Sequence, residues 1–141
     1  MSTKKTTEKE TLTVDELEEK AEALYEDEKY CEAVRIYRIA AAMGGDHAQY
    51  SLGFCYENGF GVEEDRDEAM KWYKLAAENG NEDAMYCLAM GMFEDCDFDA
   101  SAVWFAKAAD AGVDDAWYYL GWLFFNGEGV EYNVEKAEKC W

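Results

Sequence analysis

The chain repeats one short pattern three times, and this repetition constrains its fold more than any other feature. Three nine-residue segments align with one another at intervals of 36 and 32 residues, and three glycines recur at the same intervals. A unit of this length cannot bury its own apolar face, so successive units must stack on one another. The aligned segments are 48–56, 84–92 and 116–124, and the glycines are Gly44, Gly80 and Gly112.

Each unit is predicted to contain two helices, because its apolar residues recur three and four positions apart. The second helix of a unit is followed by a glycine such as Gly80, which allows the left-handed conformation that commonly ends a helix. In the first full unit the apolar positions are Ala48, Leu52 and Tyr56 in one helix and Ala69, Trp72, Tyr73, Ala76 and Ala77 in the other.

The two helices of the outer units are joined by a Gly-x-Gly-Val segment, at residues 59–62 and 127–130. No strand precedes either segment, so we interpret them as turns rather than as phosphate-binding loops. The middle unit has a loop at 94–97 that is four residues shorter, which accounts for the interval of 32 residues.

Charge and composition exclude several classes of function. The 141 residues include 32 Asp and Glu against 13 Lys and Arg, giving a net charge of −19. Direct binding to nucleic acid or to an anionic membrane is therefore not expected, since both need clustered basic residues. The hydrophobic content of 50% is too high for a wholly disordered chain. Two interpretations of the acidity stay open, a solvated surface and a patch that attracts a basic partner.

The sequence shows no arrangement of residues for catalysis, for a cofactor or for a metal. His47 is the single histidine, and the five cysteines form no CxxC pair, which favours reduced thiols in the cytoplasm. The acidic run at 95–99 lacks the glycine and the glutamate of a calcium loop, so Asp97 or Asp99 is predicted to cap the helix that follows. Asp65 is predicted to cap the helix that carries Ala69. No signal peptide or membrane-spanning apolar run is visible. We therefore expect no enzymatic activity.

Three motifs in the repeat resemble the Sel1-like repeat, a relative of the tetratricopeptide repeat. They are Ala-x-Tyr-x-Leu-Gly, Gly-x-Gly-Val and Ala-x-x-Trp-Tyr-x-x-Ala-Ala-x-x-Gly, and together they cover 48–141. The middle unit departs from the pattern, with Ala89 in place of a glycine and Ser101 in place of an alanine. The resemblance implies an all-α fold, an α-solenoid of about eight helices stacked as antiparallel pairs.

The segment before these units fits the tetratricopeptide pattern. Its matching residues are Leu17, Ala21, Leu24, Ala33, Tyr37 and Ala40, and Thr13 with Glu16 forms a capping box that would start the first helix. We therefore divide the chain into a disordered polar tail at 1–12, a tetratricopeptide-like helix pair at 13–45 and Sel1-like repeats at 46–141. The individual repeats are predicted at 46–80, 81–112 and 113–141, the last of them incomplete.

The resemblance implies an adaptor that brings proteins together and binds a peptide or a partner domain on its concave face. In such stacks the groove positions lie at −5, −2, +2 and +5 from the leucine of the first helix in each pair. The predicted binding residues are His47, Tyr50, Phe54 and Glu57; Asp83, Tyr86, Met90 and Phe93; and Asp115, Tyr118, Trp122 and Phe125. The first pair contributes Asp15, Glu18, Glu22 and Tyr25.

Aromatic rings beside carboxylates would suit a partner that carries Lys or Arg. Alternatively, the same rings pack between adjacent helix pairs and are not available to a partner. A second functional class stays open, in which an open C-terminal end lets the solenoid self-associate as a structural or regulatory element.

Overall fold

The structure, a computed structural model, describes residues 11–141 and contains eight α-helices in that range, with no strands. Each helix packs against its neighbour in sequence, so the helices form a linear stack of antiparallel pairs. The predicted all-α solenoid of about eight helices is confirmed. The helices are α1 (Val14–Glu26), α2 (Tyr30–Ala42), α3 (Asp46–Asn58), α4 (Arg66–Glu78), α5 (Glu82–Glu94), α6 (Phe98–Asp110), α7 (Asp114–Asn126) and α8 (Val134–Cys140).

The predicted polar tail lies outside the described residues except for residues 11 and 12, which precede α1 without regular structure. Within residues 11–141, no helix combines the length and the apolar sequence that are needed to cross a membrane.

Five of the eight helices described in residues 11–141 begin at a residue whose side chain caps the helix. Thr13 and Glu16 form the predicted capping box, with the Glu16 amide donating to Thr13 Oγ1 and the Thr13 amide donating to the Glu16 carboxylate. Asp65 accepts a hydrogen bond from the first turn of α4, as predicted. Of the two candidates for α6, Asp97 is the cap, and Asp99 lies within the first turn. Gly80 follows α4 with φ +95°, in the left-handed region expected there.

In each repeat, a small residue on the first helix is matched by an aromatic residue on the second helix or directly after it. Gly53 on α3 lies against the ring of Tyr73, and Gly121 on α7 lies against Trp141. In the middle repeat these two places hold Ala89 and Phe105, both fully buried. The Ser101 hydroxyl, where the other repeats have alanine, donates to the Ala89 carbonyl at 3.1 Å. The departures of the middle repeat therefore leave no buried polar group without a partner.

The two Gly-x-Gly loops dock on the helix pair that precedes them. Gly61 and Gly129 have φ near +70° and lie so close to the Tyr30 and Phe98 carbonyls that a Cβ would overlap them. The short loop of the middle repeat makes no such contact. In its place Arg66, the first residue of α4, donates hydrogen bonds to the Gly91 carbonyl and to the Asp95 carboxylate.

Candidate partner-binding surface

The predicted binding residues lie on α1, α3, α5 and α7, the first helix of each pair, and we call the surface that these helices form the inner face. The inner face is not uniform. It holds two cavities in its first half and a cluster of packed rings in its second half.

The first cavity, which we call the α1–α3 pocket, lies between the first two helix pairs and has a volume of about 320 Å³. It brings together three predicted residues of α3 with two of α1. Its lining residues are Glu22, Tyr25, Glu26, Tyr37, His47, Tyr50, Ser51 and Phe54.

Phe60 holds the aromatic rings of this pocket in place. Its ring stacks on Tyr30 with the centroids 4.9 Å apart, and it contacts the rings of Tyr25 and Phe54 at 6.0 and 6.1 Å. Phe60 is the variable residue of the loop Gly59-Phe60-Gly61, and the docking of Gly61 on Tyr30 places it there. The loop that the sequence identifies as a turn therefore supports one wall of the pocket.

Two carboxylates form an acidic edge of the pocket. Glu22 and Glu26 lie one turn apart on α1, both are exposed, and neither forms a salt bridge within residues 11–141. Glu18, predicted as a groove residue on the same helix, has another role. Its carboxylate accepts a hydrogen bond from the Ala48 amide at 2.8 Å and so caps α3, whose N-cap Gly45 has no side chain to do so. The neighbouring prediction, Asp15, is exposed and does not line this pocket.

Burial raises the pKa values of the phenols in this pocket further above neutral pH. Desolvation raises the pKa of Tyr37 to about 12 and that of Tyr50 to about 12, and it also raises the pKa of Tyr25. At neutral pH the tyrosines therefore present uncharged rings, and the glutamates supply the negative charge of the pocket.

The second cavity, the α4–α5 crevice, has a volume of about 460 Å³ and includes the predicted residues Glu57, Tyr86 and Met90. Two of its polar side chains, Tyr73 and Arg66, already have partners within the chain. Tyr73 donates to Glu57 at 2.5 Å, and burial raises the pKa of this phenol further above its ordinary range. Arg66 lies in the crevice and forms salt bridges with Asp95 and Glu94. The lining of this crevice thus contains a cation of its own, which pairs with nearby carboxylates.

Cys87 also lines this crevice, and burial raises the pKa of its thiol to about 12. The thiol therefore stays protonated at neutral pH and is a poor nucleophile. Within residues 11–141, no group of three or more His, Cys, Asp or Glu side chains is placed to hold a metal ion.

The predicted rings of α5 and α7 divide between packing and exposure. The ring centroids of Phe93 and Trp122 lie 5.1 Å apart, and both rings contact the ring of Phe98. Tyr118 and Phe125 are 59% and 47% exposed, and Phe125 lies 5.9 Å from the ring of Trp141. The predicted carboxylates Asp83 and Asp115 are exposed on the first turns of α5 and α7.

Sequence reasoning missed three residues of the α1–α3 pocket. Glu26 lies one helical turn after Glu22, and this spacing could have identified it. Ser51 directly precedes the repeat leucine, and Tyr37 is on the second helix of its pair, so the groove offsets excluded both. Tyr119 of α7 lies at the same repeat position as Ser51, so the groove offsets excluded it as well.

Comparison with known proteins agrees with this architecture. The Sel1 repeat family matches residues 46–81, 83–113 and 115–141. A Sel1 repeat protein from Oxalobacter formigenes has a TM-score of 0.86 at 27% identity, over 91% of this chain and 56% of that chain. A protective antigen from uropathogenic Escherichia coli with an SLR fold has a TM-score of 0.75 at 29% identity, over 92% and 32% of the two chains.

Two kinds of curated relative match shorter segments. DAP3-binding cell death enhancer 1 from Rattus norvegicus is 42% identical over 52 residues, which are 37% of this chain and 10% of that protein. Chitin synthase regulatory factor 2 from Schizosaccharomyces pombe is 34% identical over 62 residues, 44% of this chain and 12% of that protein. The chain thus spans about a tenth of the length of these relatives. The three matched repeats account for most of the chain, which therefore belongs to the Sel1 repeat family.

Proposed function

We propose that this chain is a non-catalytic protein-interaction module whose inner face binds a Lys- or Arg-bearing segment of a partner protein. The observation that carries the proposal is the α1–α3 pocket, where four aromatic residues and two exposed glutamates converge. Aromatic residues are favoured at binding hot spots because they provide contact area at low entropic cost. The net charge of −19 would attract a basic segment from a distance.

The family supports the general role. Sel1 repeat proteins are generally protein-interaction modules, and their fold is typically a non-catalytic scaffold. One relative is named for binding DAP3, and another is named as a chitin synthase regulatory factor. Within residues 11–141 all five cysteines are free, which supports the expected location in the reducing cytoplasm.

Self-association is a second candidate, and the exposed rings at the other end of the stack favour it. Tyr118, Phe125, Tyr132 and Trp141 are all exposed on or beside α7 and α8. Light scattering over a range of protein concentrations tests it. A mass that grows with concentration and returns to that of a monomer in a Trp141→Ser variant would support self-association, whereas a constant monomer mass would contradict it.

Selection from a library of displayed random peptides tests the main proposal. We expect the retained peptides to be enriched in Arg and Lys, and their affinity to fall steeply as salt is raised from low to high concentration. Enrichment of acidic or uncharged peptides, or an affinity that does not change with salt, would contradict a basic partner.

A further inference from the structure

We infer that the α1–α3 pocket is a subsite for one arginine side chain of the partner. This inference rests on the proposed function and makes it more specific. It identifies the residue type that is bound and the place on the inner face where it is bound.

The pocket offers both of the contacts that a guanidinium group makes best. Its walls are the neutral rings of Tyr25, Tyr50 and Phe54, and a planar cation stacks favourably on aromatic faces. Glu22 and Glu26 line the same cavity and supply carboxylate oxygens for the N–H groups. Arginine is more weakly hydrated than lysine, so it is transferred into an aromatic cavity at a lower cost.

The chain itself contains an arginine that pairs with carboxylates beside a cavity. Arg66 lines the α4–α5 crevice, forms salt bridges with Asp95 and Glu94, and donates to the Gly91 carbonyl. No lysine or arginine from residues 11–141 lines the α1–α3 pocket. Of these two cavities, one therefore has an arginine among its lining residues, whereas the other has carboxylates and no basic side chain from residues 11–141. The charge of the second cavity is complementary to that of an external arginine.

The pocket spans the boundary between the family repeats and the segment that precedes them. Glu22, Tyr25, Glu26 and Tyr37 belong to α1 and α2, whereas the matched repeats begin at residue 46. The first helix pair therefore contributes half of the subsite in addition to extending the stack. A chain that contains the three repeats alone would lack the acidic edge.

A titration followed by NMR tests the subsite with a minimal probe. The probe is the capped tripeptide acetyl-Gly-Arg-Gly-amide, added to the full chain up to about 20 mM, a range that detects weak binding. The controls are the same tripeptide with citrulline, which has the shape of arginine without its charge, and with lysine. We expect saturable shifts of residues that line the α1–α3 pocket, with binding about tenfold weaker for citrulline and measurably weaker for lysine.

Charge-matched variants separate the subsite from the general acidity of the chain. Glu22→Gln with Glu26→Gln should weaken binding of the arginine probe about tenfold. Glu135→Gln with Glu138→Gln changes the net charge equally on exposed positions of α8 and should leave binding within about twofold of the parent. Circular dichroism confirms that each variant is folded, since all four side chains are exposed and their replacement should not disturb the core.

Four results would overturn the inference. They are an absence of saturable shifts in the pocket, equal binding of arginine and citrulline, equal binding of arginine and lysine, and equal losses in the two double variants. If the library peptides are basic and bind in a salt-dependent manner while the arginine probe fails, the proposed function stands and the subsite is wrong.

Discussion

The two ends of the inner face use the same repeat positions in opposite ways. On α3, Tyr50 and Phe54 line an open pocket, whereas on α7 the equivalent Tyr118 is exposed and Trp122 packs on Phe93. The repeat consensus does not explain this difference, because the consensus residues are similar in both helices. A neighbouring position that the consensus leaves free decides whether the space between first helices stays open.

That position directly precedes the repeat leucine. It holds Ser51 on α3, Cys87 on α5 and Tyr119 on α7. Ser51 and Cys87 each line a cavity. Tyr119 instead stacks on Phe105 with the ring centroids 5.1 Å apart, and it also contacts Phe93 and Tyr86. A small side chain therefore leaves a pocket between first helices, and a large one extends the core into the same place.

The largest loss of stability should come from removing a buried aromatic ring in the second half of the stack, where the rings pack on one another. Phe105→Ala is expected to lower the free energy of unfolding by about 3–5 kcal/mol, because Phe105 is fully buried. Phe54→Ala at the open end should lower it by about 1 kcal/mol, since this ring is only partly buried. Urea denaturation measures both, and equal losses would contradict the division into a core end and a binding end.

The second-largest effect on stability should come from exchanging the residues that directly precede the repeat leucine on α3 and α7. Tyr119→Ser is expected to cost about 2–3 kcal/mol of unfolding free energy, because it opens a cavity beside Phe105. Ser51→Tyr should change stability by less than about 1 kcal/mol, since the new ring enters an existing pocket. Binding of the basic library peptides, measured by calorimetry, should be lost in Ser51→Tyr. Retention of full affinity there would show that the pocket is not used.

The loop glycines provide a matched pair with a smaller effect. Gly61→Ala and Gly129→Ala should each cost about 1–2 kcal/mol, because both residues have positive φ and a Cβ would overlap a carbonyl of the preceding pair. Thermal or urea unfolding measures this loss. Only Gly61→Ala should also weaken peptide binding, since it displaces Phe60, whereas the equivalent loop residue on the other side is Glu128. Equal effects on binding would contradict the supporting role of Phe60.

The smallest effect on stability concerns Cys87, which directly precedes the repeat leucine on α5. Burial raises its pKa from 9.0 to about 12, so the unfolded chain loses this proton at lower pH than the folded chain does. The stabilisation is complete near pH 7, begins to decline as the pH approaches 9 and continues to fall as the pH rises toward 12. Between pH 7 and 9 we expect a loss of about 0.4 kcal/mol from this thiol.

Urea denaturation with a reducing agent measures this pH dependence, with Cys87→Ala as the control. The difference between the parent and the variant isolates this thiol, because the buried Cys55, whose pKa is raised to about 11, contributes equally to both. A parent that gains stability relative to Cys87→Ala as the pH rises would contradict the assigned direction.

The fold could be predicted from the sequence because it depends on the repeated residues. The spacing of the small and apolar positions defined the helix pairs, and Thr13, Asp65 and Asp97 marked where helices begin. The predicted binding residues were placed on the first helices by the same rule. The repeat therefore contained enough information for the architecture and for the identity of the inner face.

The location of the pocket could not be predicted, because it depends on residues that the repeat does not fix. Whether rings leave a cavity depends on the volume of Ser51 or Tyr119 and on the presence of Phe60 in a loop. Glu18 fits the groove offset, yet its carboxylate caps a helix of the next pair. Such contacts join residues about 30 positions apart, and periodicity within one helix carries no information about them.

Chemical-shift mapping with an arginine-containing peptide from the library would locate the binding surface on the inner face. We expect saturating peptide to shift the amide signals of α1 and α3 around Glu22, Tyr25 and Ser51, and to leave those around Phe105 and Tyr119 unchanged. Shifts confined to α7 and α8 around Tyr118 and Trp141 would contradict this expectation, since the exposed rings of the other end would then be the binding site.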